Sequence, residues 1–222
     1  MKIVDDISEM VGRTPMLRCH KLFPDSPAKI LGKLELFNPM SVKDRPVRHI
    51  ITKALAEGRI KPGAELVEAS SGNTAIAIAM FGASRGFPVR IFMSELVSIE
   101  RFKILNSFGA TVVLTPGAEH TKGARARAIA YCEANPETSY FVNQHSNPLN
   151  GDAHHTTTGP EIWEQTGGKI DAWTCSTGTG GTFAGVSMYL KEQNPDVKCV
   201  IADPMGSVLY SYAKTGELAR SG

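Results

Sequence analysis

Short apolar, β-rich runs alternate with helix-period segments along most of this chain, and that alternation leaves few folds open. Strand-like runs fall at 64–67, 89–93, 111–114, 140–142, 170–174 and 197–202. Helix-period segments lie at 47–55, 74–83, 99–108, 123–134, 158–165, 183–193 and 208–212. Strands separated by helices of this length imply parallel sheets joined by right-handed crossovers. Gly58, Gly86, Gly109 and Gly167 stand just past the ends of these helices, where a C-terminal cap favours a residue that tolerates positive φ. The pattern predicts an α/β fold with mainly parallel sheets flanked by helices, without internal repeats or low-complexity segments.

Composition narrows the class of partner. A chain of 222 residues, 42% hydrophobic and 21% charged, buries a substantial core in one large or two small domains. A net charge of +2 with both signs interspersed argues against nucleic acid as a partner. Lys122, Arg125 and Arg127 read as a solvated helix face. No apolar run approaches membrane-spanning length, and residues 1–6 lack the hydrophobic core of a signal peptide. Cys19, Cys132, Cys175 and Cys199 show no C-x-x-C spacing and read as reduced structural thiols. The expectation is a cytoplasmic protein with no membrane and no nucleic-acid partner.

Three segments carry the chemistry. In the first, Asn38-Pro39 leads to Ser41, read as an N-cap, which puts Lys43 in the first turn of a helix. The helix dipole disfavours an ammonium there, and an amine kept neutral is a good nucleophile towards an aldehyde. In the second, Ser70, Ser71, Gly72, Asn73 and Thr74 link the strand-like 65–67 to an Ala/Ile-rich helix. Hydroxyls, an amide and free backbone N–H groups crowd one turn, which suits a carboxylate or another small anion. In the third, Gly178, Thr179, Gly180, Gly181 and Thr182 join the strand-like 170–174 to the helix at 183–190. Glycines admit close approach of the backbone, threonines add donors, and the helix N-terminus favours a phosphate.

Taken together and in this order, the three segments resemble the fold-type II pyridoxal-phosphate enzymes (tryptophan synthase β-like), and within them the cysteine synthase and cystathionine β-synthase group. The likeness begins at 7–17, with its Gly-Arg-Thr-Pro-Met-Leu run, and continues through Lys43 and 70–74. It extends through 93–95, 98–101, 144–150, His154, 157–162 and 178–182. The resemblance implies pyridoxal 5'-phosphate as cofactor, with Lys43 as the Schiff-base lysine that later moves the substrate α-proton. It assigns Asn73 to the cofactor ring's 3′-oxygen, and Gly178, Thr179, Gly180, Gly181 and Thr182 to its phosphate. Ser70, Ser71, Gly72, Thr74 and Gln144 fall to the substrate α-carboxylate. The implied reaction is β-replacement on a serine-derived amino acid, with O-acetylserine or O-phosphoserine plus sulfide giving cysteine.

The resemblance also implies two domains, a small mobile substrate domain at 44–143 and a large cofactor domain at 1–43 and 144–222. Members of the group run well beyond residue 222, so on this reading the cofactor domain is incomplete. The group that would meet the cofactor's pyridine nitrogen then lies outside the chain. Apolar surface on the strands at 170–174 and 197–202 is expected to be exposed, which favours a homodimer.

Departures from the group's pattern bear on substrate identity. The approach to Lys43 is one residue short, Ser70 replaces threonine, and Ala75 replaces glycine. His145 replaces phenylalanine, and Glu119-His120-Thr121 replaces a Gly-Met segment. His154 is read as a hydrogen-bonding residue on the substrate side, and His155 as a surface residue. Adjacent histidines on a helix diverge by about 100°, so His154, His155 and Asp152 do not make a metal site. Besides cysteine synthesis, two readings stay open: a cystathionine β-synthase-like or other β-substituted alanine synthesis, and a weakly active homologue that acts by binding a partner. A dinucleotide site is disfavoured, because the loop lacks the G-x-G-x-x-G order.

Overall fold

The computed structural model describes residues 3–22 and 24–217, so Arg220, Ser221 and Gly222 lie outside the described residues. The chain divides into compact units, Met1–Ala153 and His154–Gly222.

In the first unit, β1 (Met16–Arg18) pairs antiparallel with β2 (Leu31–Lys33), and α1 (Asp44–Ala56) follows. Then come β3 (Glu65–Ala69), α2 (Asn73–Arg85), β4 (Val89–Ser94), α3 (Ile99–Ser107) and β5 (Thr111–Thr115). Helix α4 (His120–Ala134), β6 (Ser139–Phe141) and α5 (Leu149–Ala153) complete it. Strands β5, β4, β3 and β6 form one sheet in that order, every pair parallel. The alternation of strand and helix in the sequence therefore yields the α/β architecture it implied. The β1–β2 pair was not expected, because three-residue strands with exposed side chains are too short to display a period.

Side chains on successive strand residues point to opposite faces, and the sheet uses both. Leu66, Ile91 and Met93 join Ile50, Ile51, Ile78, Phe81 and Leu105 in one core, so α1, α2 and α3 cover that face. Val67, Ala69 and Phe92 pack against Ala124 and Ala128 of α4 on the other. Helix α2 sits so close to β4 that a Cβ on Gly82 would lie 2.2 Å from Val89 Cγ2. The predicted C-terminal glycines Gly58, Gly86, Gly109 and Gly167 all take positive φ, from 60° to 75°.

In the second unit, a π-helical turn (His154–Thr158) runs into α6 (Gly159–Gln165). Strand β7 (Ala172–Ser176), α7 (Gly181–Gln193), β8 (Lys198–Ala202) and α8 (Val208–Thr215) follow. Strands β7 and β8 pair in parallel. Their surface is largely open: Val200 is 51% and Ile201 40% exposed, so apolar exposure on the expected strands is present. Strand β7 begins at Ala172, because Ile170 belongs to the approach and not to the ladder. Among the described residues no helix is long and apolar enough to cross a membrane.

Candidate active site

Lys43 lies one residue before α1, at the N-cap position with φ −77° and ψ −12°. The expected N-cap, Ser41, instead accepts the N–H of Lys43 itself on its Oγ at 3.1 Å. The reason is Asp44. Its Oδ2 accepts the N–H groups of Met40 at 2.7 Å and Ser41 at 3.1 Å, which turns the chain back and starts the helix later. Burial raises the Asp44 carboxyl above its usual range, against those two N–H groups, and the Glu35 charge adds to the rise.

The segment before Lys43 is anchored by a buried polar network that sequence reasoning did not find. Arg45 grips Glu35 through two hydrogen bonds, Nε to Oε2 at 2.7 Å and Nη2 to Oε1 at 2.8 Å. Thr14 donates to Glu35 Oε1 at 2.7 Å, and Asn38 donates to Glu35 Oε2 at 3.0 Å. The Gly12 N–H donates in turn to Asn38 Oδ1 at 2.8 Å. Burial opposes ionisation of Glu35, yet the bonds and charge of Arg45, with those of Thr14 and Asn38, hold its carboxyl below the usual range. A charged, fork-shaped donor two residues past Lys43 was the available signal.

The 70–74 loop rises from β3 at the centre of the buried sheet, and the N-cap of α2 is Gly72. Ser70 Oγ accepts the Gly72 N–H at 3.2 Å, and Arg101 donates to the Ser71 carbonyl at 2.6 Å. Asn73 and Thr74 open the helix, and Thr74 is buried. Gln144 follows β6 in the same unit, and its Oε1 is buried with no hydrogen-bond partner within the protein. Such an atom calls for a ligand or an ordered water. Gln144 is joined to the start of the 70–74 loop by Glu68, whose Oε1 accepts the Ala69 N–H at 2.8 Å and whose Oε2 accepts the Gln144 N–H at 3.1 Å.

His145 sits within the electrostatic reach of Lys43. Desolvation, then the positive charges of Arg125 and Lys43, hold its imidazole below the usual range. Arg125 is not the solvated side chain expected of it: it donates to Asn143 Oδ1 at 2.8 Å and Ser146 Oγ at 3.1 Å. Arg127 does face solvent, paired with Glu119 at 2.8 Å.

In the second unit, Gly178, Thr179 and Gly180 precede α7, with Gly181 and Thr182 as its first residues. Gly180 is the N-cap in the left-handed region at φ 83°, which a side chain enters only with strain. A Cβ at Gly178 or Gly180 would meet nothing within 4 Å, so the loop leaves open space along its backbone. Thr177 Oγ1, just before the loop, is buried without a partner within the protein. Thr182 Oγ1 lies 3.1 Å from His154 Nε2, and His154 Nδ1 lies 2.9 Å from Thr158 Oγ1. His154 is therefore a buried spacer inside its own unit, fixing the first turn of α7. His155 pairs with Glu192 at 2.9 Å, and Asp152 with His49 at 2.6 Å. Among the described residues no group of three or more His, Cys, Asp or Glu side chains is placed to hold a metal ion.

Each of these segments, taken by itself, suits one small chemical group. Lys43 offers the amine, the open glycine turn with the unpartnered Thr177 suits a phosphate, and Gln144 with the 70–74 loop suits a carboxylate.

Comparison with known proteins gives the same reading. The family described as "Pyridoxal-phosphate dependent enzyme" matches residues 7–221. Cysteine synthase A of Escherichia coli K12 is 42% identical over 224 aligned positions, covering 100% of this chain and 68% of that protein. An O-acetylserine dependent cystathionine beta-synthase of Bacillus subtilis is 39% identical over 210 positions, covering 94% of this chain and 68% of that protein. The crystal structure of O-acetyl serine sulfhydrylase isoform 3 from Entamoeba histolytica superposes with a TM-score of 0.88 at 42% identity. That match covers 95% of this chain and 64% of the other, so the chain spans about two thirds of such proteins.

Proposed function

The chain belongs to the pyridoxal-phosphate dependent enzymes, and from that premise we propose that it performs β-replacement on a serine-derived amino acid, with O-acetylserine or O-phosphoserine plus sulfide giving cysteine. The observation that carries the proposal is the joining of the 70–74 loop to Gln144 beside a buried, unpartnered Gln144 Oε1. That arrangement suits a small polar group just past the C-terminal ends of β3 and β6. The identities to cysteine synthase A and to the Entamoeba sulfhydrylase support the choice of chemistry. The Bacillus relative, named for cystathionine, supports a second reading in which the entering thiol is larger than sulfide.

In this proposal the chain's residues divide the work. Lys43 Nζ would hold the cofactor as the nucleophile and, with the cofactor bound, would take and return the substrate α-proton as a general base. Ser70, Ser71, Gly72, Thr74 and Gln144 hold the α-carboxylate, and Asn73 fixes the ring through its 3′-oxygen. Gly178, Thr179, Gly180, Gly181 and Thr182 hold the phosphate with backbone N–H groups and hydroxyls. When bound, pyridoxal phosphate supplies the electron sink that makes loss of the α-proton and of the β-substituent feasible. Burial, and after it the charges of Arg125 and Lys43, lower the pKa of His145, which favours the neutral imidazole as a hydrogen-bonding group beside the site.

The proposed division into a small domain at 44–143 and a cofactor domain at 1–43 and 144–222 is supported by the sheet β3 to β6, which lies wholly inside 44–143. A cytoplasmic setting is supported by four free cysteines. A homodimer is supported by the exposure of Val200 and Ile201. Borohydride reduction of the purified protein followed by peptide mapping tests the central assignment. The reduced cofactor is expected on Lys43, and a label on another lysine, or none, refutes it.

A further inference from the structure

The ladder between β3 and β6 ends where the Val142 N–H donates to the Val67 carbonyl at 3.0 Å. In a parallel pair the next donor, the Gln144 N–H, would reach the carbonyl of Ala69. Asn143 turns the chain away with φ 52°, and the Gln144 N–H goes to the Glu68 carboxylate instead. One carboxylate thus spans the gap where the sheet opens, with an oxygen on each side. The far side is held from two further directions. Asn150 Nδ2 donates to the Gln144 carbonyl at 3.1 Å, and Arg125 ties Asn143 and Ser146.

Packing does not explain a glutamate here. Its strand neighbours Leu66, Val67 and Ala69 are buried and apolar, and Glu68 is itself 2% exposed. A carboxylate in that setting is costly unless its oxygens are used. Both are used, and they join the two segments assigned above to the substrate carboxylate. We propose that Glu68 is a positioning residue for the amino-acid substrate, clamping Gln144 to the root of the 70–74 loop, with Arg125 as its counter-charge. The proposal rests on the functional reading above.

Burial pushes the Glu68 carboxyl up to about 7, against the lowering pull of the Gln144 and Ala69 N–H groups, the Arg125 charge and the Asn143 N–H. The charged and titratable groups that act on it are Arg125 and the Cys132 thiol, both on α4. Above the midpoint the ionised carboxylate accepts from both sides. Below it, one oxygen carries a proton that faces an N–H donor, and the clamp loosens. Amino-acid affinity therefore falls as the pH drops through about 7.

The test follows the amide signals of Ala69 and Gln144 by NMR through the neutral range, alongside calorimetric binding of L-alanine to the cofactor-loaded protein. Both amides are expected to titrate together near 7, with L-alanine binding about tenfold weaker on the acid side. Glu68→Gln, whose amide offers one acceptor and one donor, should abolish the titration and hold L-alanine affinity at every pH near the wild type's acid-side value, about tenfold below its alkaline-side value. Glu68→Asp keeps the charge and should restore part of the pH dependence. Where Glu68→Gln does not fold, the wild-type titration and Glu68→Asp decide. Amides that do not titrate, or L-alanine affinity indifferent to pH and to Glu68, overturn the proposal. Titrating amides in a wild-type protein that binds no amino acid would instead sink the functional reading, and the substrate role of Glu68 with it.

Discussion

Two strand–loop–helix turns in this protein are proposed for the same task, holding an anion at a helix N-terminus, and they are stiffened in different ways. The 70–74 loop leaves β3, a strand buried along most of its length inside a four-stranded sheet. Side chains hold it: Ser70 on Gly72, Arg101 on Ser71, Glu68 across to Gln144. The 178–182 loop leaves β7, which alternates exposed and half-buried residues beside a single partner strand. Its turn comes from the backbone, with Gly180 left-handed, and the side-chain brace seen there is His154 on Thr182. A carboxylate must be met at fixed angles by several donors, so side-chain bracing suits it. A phosphate presents three equivalent oxygens, so a bare glycine backbone at a helix N-terminus is enough.

The largest effect expected from breaking the side-chain-braced region comes from Arg45. Its guanidinium is buried against Glu35, so Arg45→Met leaves a carboxylate buried without its counter-ion. That change should destabilise the protein by about 3–5 kcal/mol, and Arg45→Met with Glu35→Leu should recover most of the loss. Thermal and denaturant unfolding of the single and double variants checks it. A single variant as stable as the wild type would show that the turn before Lys43 does not depend on this pair.

This network also marks where sequence reading stopped. The α/β architecture, the sheet strands and the glycine caps were legible, because each follows from a local period or a local φ requirement. Lys43, the 70–74 loop and the 178–182 loop were legible as short contiguous motifs. Glu35, Glu68, Arg45 and Arg125 were not, because their roles depend on partners such as Thr14, Asn143 and Gln144, distant in sequence. Ser41 was misread as the N-cap for a related reason. Asp44, three residues on, takes the N–H groups of Met40 and Ser41 itself, and the helix begins only at Asp44. Arg125 looked like a surface charge because it stands in a basic run with Lys122 and Arg127, and Arg127 is indeed exposed and paired to Glu119.

A smaller effect should separate roles within the braced loop. Thr74→Ala removes a hydroxyl from the proposed carboxylate site, where a charge-assisted bond is worth about 1.5–3 kcal/mol. Amino-acid binding should therefore weaken by roughly tenfold to a hundredfold, while the absorbance of the bound cofactor stays as in the wild type. Asn73→Ala should do the reverse, shifting that absorbance with a lesser change in amino-acid affinity. Spectral titrations of both variants with L-alanine measure the split. Equal changes in both properties for both variants would mean that the loop acts as one unit and that the assignment of Asn73 to the cofactor is mistaken.

The smallest effect compares the two loops directly at their N-cap glycines. Gly180 sits at φ 83° in open space, so Gly180→Ala meets no steric neighbour but must hold a left-handed conformation. That strain costs about 1–2 kcal/mol. Gly72 has φ −112° and ψ −158°, an extended conformation open to any residue. A Cβ there would lie 3.5 Å from Arg101 Nη1, an ordinary contact, so Gly72→Ala should cost less than about 0.5 kcal/mol in stability. The ranking in ligand affinity should follow the same logic. Gly180→Ala loosens the backbone that meets the phosphate and should weaken pyridoxal phosphate binding several-fold, whereas Gly72→Ala should leave the cofactor's affinity close to wild type. Unfolding midpoints and equilibrium cofactor titrations on both variants decide the point. If Gly72→Ala were the more damaging for the cofactor, the phosphate would belong to the side-chain-braced loop, and the roles given to the two turns would have to be exchanged.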